Sequence, residues 1–345
     1  GDHEGLNDMD DDPFTCVDEP PNPLDPNPDP IPADCDPKVK AFYDAVYTDS
    51  EQPASESFDS GTHGSHVAGI AAGTGGGQAS PDGSRYIGTA PGAWVINILA
   101  CCEGDIEDII EGAQWAIDNK ERHGIDILTS SLGEQQFEVH FDNDGSSTWS
   151  RQMDAVAESD IITTLSAGNE LGGITVAGCN TIDSPGDANI PVTVASLDKN
   201  LGLAIYSSRG YTSDGRVKPD ISTIGSNIMA PDAATNDGYT SKSGTSMATP
   251  LMAGIAALMK EANPDLTHAE FKDILSAHAI EREISLSDPG FNDCSLLETR
   301  PDNEFGYGQA DPMAFVEAAG SIDRSLNVSM NVETLQQIGN ESYIS

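Results

Sequence analysis

Three short segments carry residue types that together could cleave an acyl bond. The first, Gly61-Thr62-His63-Gly64-Ser65-His66-Val67-Ala68-Gly69, sets a histidine at the head of a helix rich in Ala and Gly. The second, Gly244-Thr245-Ser246-Met247-Ala248-Thr249-Pro250, opens a nearly uninterrupted apolar helix with Ser246 at its start. Free backbone N–H groups and the positive end of the helix dipole at such a place favour a developing oxyanion. A hydroxyl there needs a base to become a useful nucleophile, and near neutral pH histidine is the usual one. The third, Ser166-Ala167-Gly168-Asn169, ends a strand with a side-chain amide able to donate to the same oxyanion. Pro250 is expected within the first helical turn, where its missing N–H breaks no hydrogen bond.

Taken singly, each residue has an ordinary structural reading. His63 alone reads as a satisfied structural histidine, Ser246 as a helix N-cap and Asn169 as a turn residue after Gly168. Their joint occurrence reverses that. His63 and His66, one turn apart, suggest a metal pair, but no third ligand follows at zinc spacing, so His66 reads as a buried structural residue. The acidic run Asp8 to Asp12 lacks the spaced pattern of a calcium loop and reads as solvated surface.

The elements that must position these groups follow from the apolar pattern. VKAFYDAV, AWVINILA, IDILTSSLG, IITTLSAGN and IPVTVASL are of strand length and alternate with helical segments. In one of these, Ile109, Ala113, Ala116 and Ile117 form an amphipathic face. Apolar strands between helices imply an α/β fold, a doubly wound, mainly parallel sheet covered by helices on both faces. Residues 1–37 read as an acidic Pro/Asp-rich loop, 38–320 as one domain, and 321–345 as an extension or the start of something further.

Composition bounds the partners. Over 345 residues, 16 Lys+Arg face 57 Asp+Glu, a net charge of −41 that excludes nucleic-acid binding through phosphate contacts. With 37% hydrophobic residues the chain has material for a core, and no apolar run approaches the roughly 18 residues of a membrane span. A start at Gly1 is read as a mature form, an excised domain or a fragment. Cys16 and Cys35 bracket a proline-rich stretch that a disulfide could close, although unpaired thiols fit the spacing equally well. Cys101 and Cys102 receive no assignment.

The three segments resemble the motifs of subtilisin-like serine proteases. His63 to Gly69 matches the histidine segment with Ser65 for Thr, Gly244 to Pro250 matches the serine segment throughout, and Ala167 to Asn169 matches the A-G-N segment. Weaker matches follow in order: Gly88 to Ala93, Ser131-Leu132-Gly133, the turn Ser184-Pro185-Gly186 that often has a cis proline, Tyr206 to Gly210, Lys218-Pro219-Asp220 and Phe305 to Gly308. The resemblance implies a subtilisin-like three-layer fold with His63 as general base, Ser246 as nucleophile, and Asn169 with the Ser246 N–H as oxyanion hole. It further implies substrate contacts at Ser131, Leu132, Gly133, Ala167 and Gly168, protein or peptide substrates, and a secreted monomer. No cofactor is needed for the chemistry, and structural calcium is left open.

The acid of the triad is not matched. Asp59-Ser60-Gly61 has suitable letters but abuts His63, whereas Asp2-His3-Glu4-Gly5-Leu6 resembles the segment shortly after the family's Asp. On that register the Asp and the first core strand are expected upstream of Gly1. Glu134 and Ser222-Thr223-Ile224-Gly225 also depart from the family pattern beside the cleft. A charge of −41 on such a scaffold points to a salt-adapted, halolysin-like member, because the Debye length falls to about 3 Å at 1 M. Two other readings stand: an inactive binding module of the same fold, and an α/β-hydrolase esterase using His268 or His278.

Overall fold

Most helices here begin where the chain supplies its own cap. The computed structural model describes residues 38–322 apart from 55–56, 58, 60, 78, 82, 84, 102–104, 135–142, 170–178, 236, 283–293 and 295–299. Helices α2 (Ile106–Asp118) and α6 (His268–His278) start with capping boxes, Asp105 with Asp108 and Thr267 with Glu270. Ser147 and Asp311 cap α4 (Thr148–Glu158) and α7 (Pro312–Gly320), and α3 (Lys120–His123) is a single turn. Helices α1 (His63–Ala72) and α5 (Thr245–Ala262) differ: neither Thr62 nor Gly244 makes a side-chain cap bond.

The strands are β1 (Val39–Asp44), β2 (Ser50–Gln52), β3 (Val95–Leu99), β4 (Ile127–Ser130), β5 (Ile162–Ser166), β6 (Val192–Leu197), β7 (Ile221–Ile224), β8 (Ile228–Pro231) and β9 (Tyr239–Lys242). The parallel arrangement expected from the sequence is present in two hydrogen-bonded sets, β2-β1-β3 and β4-β5-β6-β7. Only β2 runs antiparallel within them, on an outer edge. One helical layer, α2 with α4, packs on Tyr43, Ile96 and Ile98 of the first set and on Leu128 and Leu165 of the second. The other layer, α5 with α6 and α7, covers the opposite face against Ile162, Val192, Val194 and Ile221. Strands β5 and β6 are buried at every residue, whereas β3 and β4, equally apolar, are half-exposed along most of their length. Each of these two is an end strand of its set, with one edge unpaired among the described residues.

The polar segment before Gly244, which does not read as a buried strand, forms a half-exposed hairpin strand: β9 pairs antiparallel with β8. The turn Ser184-Pro185 holds the expected cis peptide. Lys218 is buried, and its Nζ donates to Asp220 Oδ2 at 2.6 Å and to the Pro191 carbonyl at 3.0 Å, which ties the start of β7 to that of β6. Spacing gave no hint of the disulfide that joins Cys179 to Cys294 across 115 residues. The Cys16–Cys35 pairing and the acidic segment lie outside the described residues.

Candidate active site

Small residues crowd the His63 and Ser246 segments because their helices touch. Met247 and Leu251 pack against Val67 and Ile70. A Cβ on Gly254 would fall 2.9 Å from the Ala71 carbonyl and 2.5 Å from Thr89, so no larger residue permits this approach. Met247, near the start of α5, and Gly254, in its middle, both lie against α1. His63 is the first residue of α1 and Ser246 the second of α5. Packing of α1 against α5 thus joins two elements whose candidate residues stand 183 positions apart in the chain.

The caps that these helices lack locally arrive from outside. Asp59 accepts from the Ser65 N–H at 2.7 Å and from the Gly61 N–H at 3.0 Å, which places a carboxylate on the positive end of α1. Asn169 does the same for α5: its Oδ1 accepts from the Thr245 N–H at 2.8 Å and from the Thr245 hydroxyl at 3.2 Å. With the carbonyl end of the amide so engaged, Nδ2 is left as the donor. Gly244 takes the N–H groups of Met247 and Ala248 through its carbonyl. The Ser246 N–H alone in this turn has no partner among the described residues. Gly244, not Ser246, occupies the N-cap position.

Pro250 corrects the sequence reading. It is the sixth residue of α5, beyond the first turn, so its missing N–H does remove a helical hydrogen bond, the one to the Ser246 carbonyl. That carbonyl instead accepts from the Ser131 hydroxyl at 3.0 Å. In return the Ser246 hydroxyl donates to the Ser131 carbonyl at 3.3 Å, so in this state it is not directed at His63. The proline thus frees an acceptor that ties the strap after β4 to the serine. The roles of Thr245 and Pro250 carry no local sequence signal, since both depend on partners more than 70 residues away.

The other residues singled out from the sequence surround this point. Leu132 accepts from the Ser166 hydroxyl at 3.4 Å, and Gly133 lies against the Ser184 carbonyl. Gly168 has φ +107°, a conformation that a side chain would strain, and its carbonyl accepts from the Ser208 N–H. Ala167 is fully buried and its N–H is taken by Val194, so its side chain belongs to the core. His268 is at the far end of the sheet, sealed between the Thr163 N–H and the Ile190 carbonyl, while His278 is exposed at the end of α6. Neither approaches Ser246, which removes the geometry that an esterase of the α/β-hydrolase type requires.

Burial and nearby charge disfavour the protonated form of both His63 and His66. Burial lowers the His63 pKa, the Lys242 ammonium lowers it further, and Asp59 opposes both. Lys242 is fixed there by donating to the Thr62 carbonyl and hydroxyl, each at 2.7 Å. Among the described residues no acidic side chain is hydrogen-bonded to His63. His66 is fully buried with Nε2 against the Thr240 carbonyl at 3.1 Å, and burial pushes its pKa down to about 4.

A histidine depressed in the folded state leaves stability intact above its unfolded pKa of 6.5 and erodes it as pH falls from 6.5 towards 4, because only the unfolded chain then takes up the proton. At 1.36 kcal/mol per unit this is about 3 kcal/mol. The expected result in urea titrations is that the stability gap between the native chain and His66→Gln narrows by about that amount between pH 7 and pH 4. A gap that does not change with pH would count against a neutral buried His66.

The model of the subtilase family matches residues 16–308. Serine protease AprX of Bacillus subtilis is 34% identical over 254 residues, covering 66% of this chain and 55% of AprX. Bacillopeptidase F of the same organism is 33% identical over 292 residues, 80% of this chain and 18% of that protein. The halolysin-like extracellular serine protease Nep of Natrialba magadii is 30% identical over 252 residues, 70% of this chain and 40% of Nep. The chain thus spans about half the length of AprX, and less of the other two. Among solved structures, the CspB protease of Clostridium perfringens superposes with a TM-score of 0.69 at 15% identity, covering 92% of this chain and 90% of that one, a likeness of fold.

Proposed function

Since this chain belongs to the subtilase family, we propose that it is the peptidase domain of a secreted serine endopeptidase that works in concentrated salt. Ser246 attacks the peptide carbonyl, His63 accepts the hydroxyl proton and returns it to the leaving amine, and the tetrahedral oxyanion is received by Asn169 Nδ2 and the Ser246 N–H. The substrate backbone lies along Ser131–Gly133. One observation carries this reading: of the N–H groups opening α5, those of Thr245, Met247 and Ala248 are consumed and that of Ser246 is not, and the Ser246 nitrogen and Asn169 Nδ2 each lie 3.6 Å from where a Gly244 Cβ would stand. Two donors aimed at one place are what an oxyanion needs.

The triad acid, on this reading, is an Asp at the end of a parallel strand seated between β3 and β4. The support is that these strands are apolar, half-exposed and unpaired on one edge, yet lie under one helical layer. Asp59 is instead engaged with the start of α1, and among the described residues no hydrogen bond joins it to His63. Secretion is supported by the Cys179–Cys294 disulfide, which suits an oxidising compartment. Salt adaptation is supported by the net charge of −41, whose self-repulsion molar salt screens.

A fluorophosphonate probe applied to the full-length protein at about 3 M and at about 0.1 M salt tests both parts, with far-UV circular dichroism alongside. The expected result is a single adduct on Ser246 at high salt, with labelling and helical signal lost together on dilution. An unlabelled Ser246 in folded protein would sink the peptidase reading, and full labelling without salt would sink the salt reading.

A further inference from the structure

The residue whose carbonyl is attacked at Ser246 must place its side chain one bond from that carbonyl. Two walls bracket this space: the strap Ser131–Glu134, held to Ser246 through Ser131, and the turn Ala167–Asn169, held to α5 through Asn169. The strap presents Gly133, whose missing side chain leaves the gap open on that side. Its floor is the segment 183–186, since the Glu134 N–H donates to the Ser184 carbonyl at 2.9 Å and that carbonyl lies 3.7 Å from where a Gly133 Cβ would stand.

What rises from this floor is charged. Asp183 Oδ2 lies 2.9 Å from the position of a Cβ on Gly168, and Ser208 Oγ lies 2.8 Å from it. A carboxylate and a hydroxyl thus occupy the place a side chain at 168 would take. Ser208 is fully buried, and its hydroxyl has no hydrogen-bond partner among the described residues, a donor left over beside the gap. The opposite wall ends in Glu134, 1% exposed.

We propose that Asp183 makes this gap select substrates with Arg or Lys immediately before the scissile bond. The inference rests on the peptidase reading above and names its substrate class. A carboxylate at the bottom of a partly desolvated gap attracts a guanidinium or ammonium more strongly than water-exposed acids do, and salt screens such a pair less. An apolar side chain would strip that carboxylate of water and offer nothing in return, so the preference acts in both directions. A carboxylate has about four acceptor sites, so bonds Asp183 makes within the protein leave room for a ligand.

The test uses the full-length protein in molar salt, which removes long-range attraction by the net charge, and peptide substrates that differ only in the residue before the cleaved bond. The expected result is kcat/KM at least about tenfold higher for Arg and Lys than for Phe and Leu. Asp183→Asn, which keeps the shape and removes the charge, is expected to cut that ratio about tenfold or more, chiefly through KM for the Arg substrate, with Phe cleavage equal or faster. Asp183→Gly should do the same, and if it fails to fold the Asn variant decides alone. A preference for Phe or Leu in the unaltered protein, or a ratio that survives in Asp183→Asn, overturns the inference. Fluorophosphonate labelling of the same preparation separates the two levels: a labelled enzyme with apolar preference sinks this inference only, and an unlabelled one sinks the peptidase reading with it.

Discussion

Replacing Ser246 by Ala is expected to lower kcat by about 10⁶, the loss measured in a subtilisin, with the protein still folded. His63→Ala should cost about as much, and the double variant little more, because a nucleophile without its base and a base without its nucleophile are equally idle. Neither substitution should unfold the chain. Ser246 is not the N-cap of α5, and its carbonyl, which accepts from Ser131, remains in the alanine variant. His63 is only half-buried at the start of α1, whose positive end is held by Asp59. Single-turnover hydrolysis with urea titration of each variant checks this. Losses that multiply in the double variant would mean the two residues act independently, contrary to proton transfer between them.

The second large effect concerns the Cys179–Cys294 disulfide, which closes a loop of 115 residues. On the chain-entropy model, removing such a crosslink costs about 4–5 kcal/mol by freeing the unfolded state. In the native state the bond anchors residues that already pair: Asn180 and Thr181 donate to Gly210 and Arg209, and Gly210 donates to Asn303. The expected outcome is that Cys179→Ala, Cys294→Ala and the double variant lose equal stability, about 4–5 kcal/mol in urea titrations, since each breaks the same bond. A double variant as stable as the parent would show that these backbone contacts suffice. Equal losses in all three, with activity retained at low temperature, would show a crosslink that limits the unfolded chain without shaping the site.

How much of this was legible in the sequence differs from element to element. Helices α2, α4, α6 and α7 begin at Asp105, Ser147, Thr267 and Asp311, each bonding N–H groups within three residues, so their starts are local facts. The apolar run TSMATPLMAGIAALMKEA is α5 from its first residue to its last. The strands β7, β8 and β9 leave little trace in the sequence, because each is only four residues long and Ser, Thr and Lys interrupt the apolar pattern of β7 and β9.

The sequence by itself determined which residues are available for the chemistry: His63 and Ser246 at helix heads, Asn169 after a strand, and small residues where helices must touch. Order along the chain and residue type suffice for that, since a helix start is written within a few neighbours. Tertiary structure alone decided how they are used. Asn169 spends its oxygen on Thr245 and so presents its nitrogen; Pro250 releases the Ser246 carbonyl to Ser131; Asp59 guards α1 instead of pairing with His63; Asp183 stands where a Gly168 side chain would be. Except for Asp59 and Asp183, each of these depends on groups more than 70 residues apart, and all of them depend on which lone pair or donor a neighbour has already taken. Local propensity and motif spacing record what a residue can offer, whereas hydrogen-bond satisfaction in a packed interior settles which of its atoms remain to be offered.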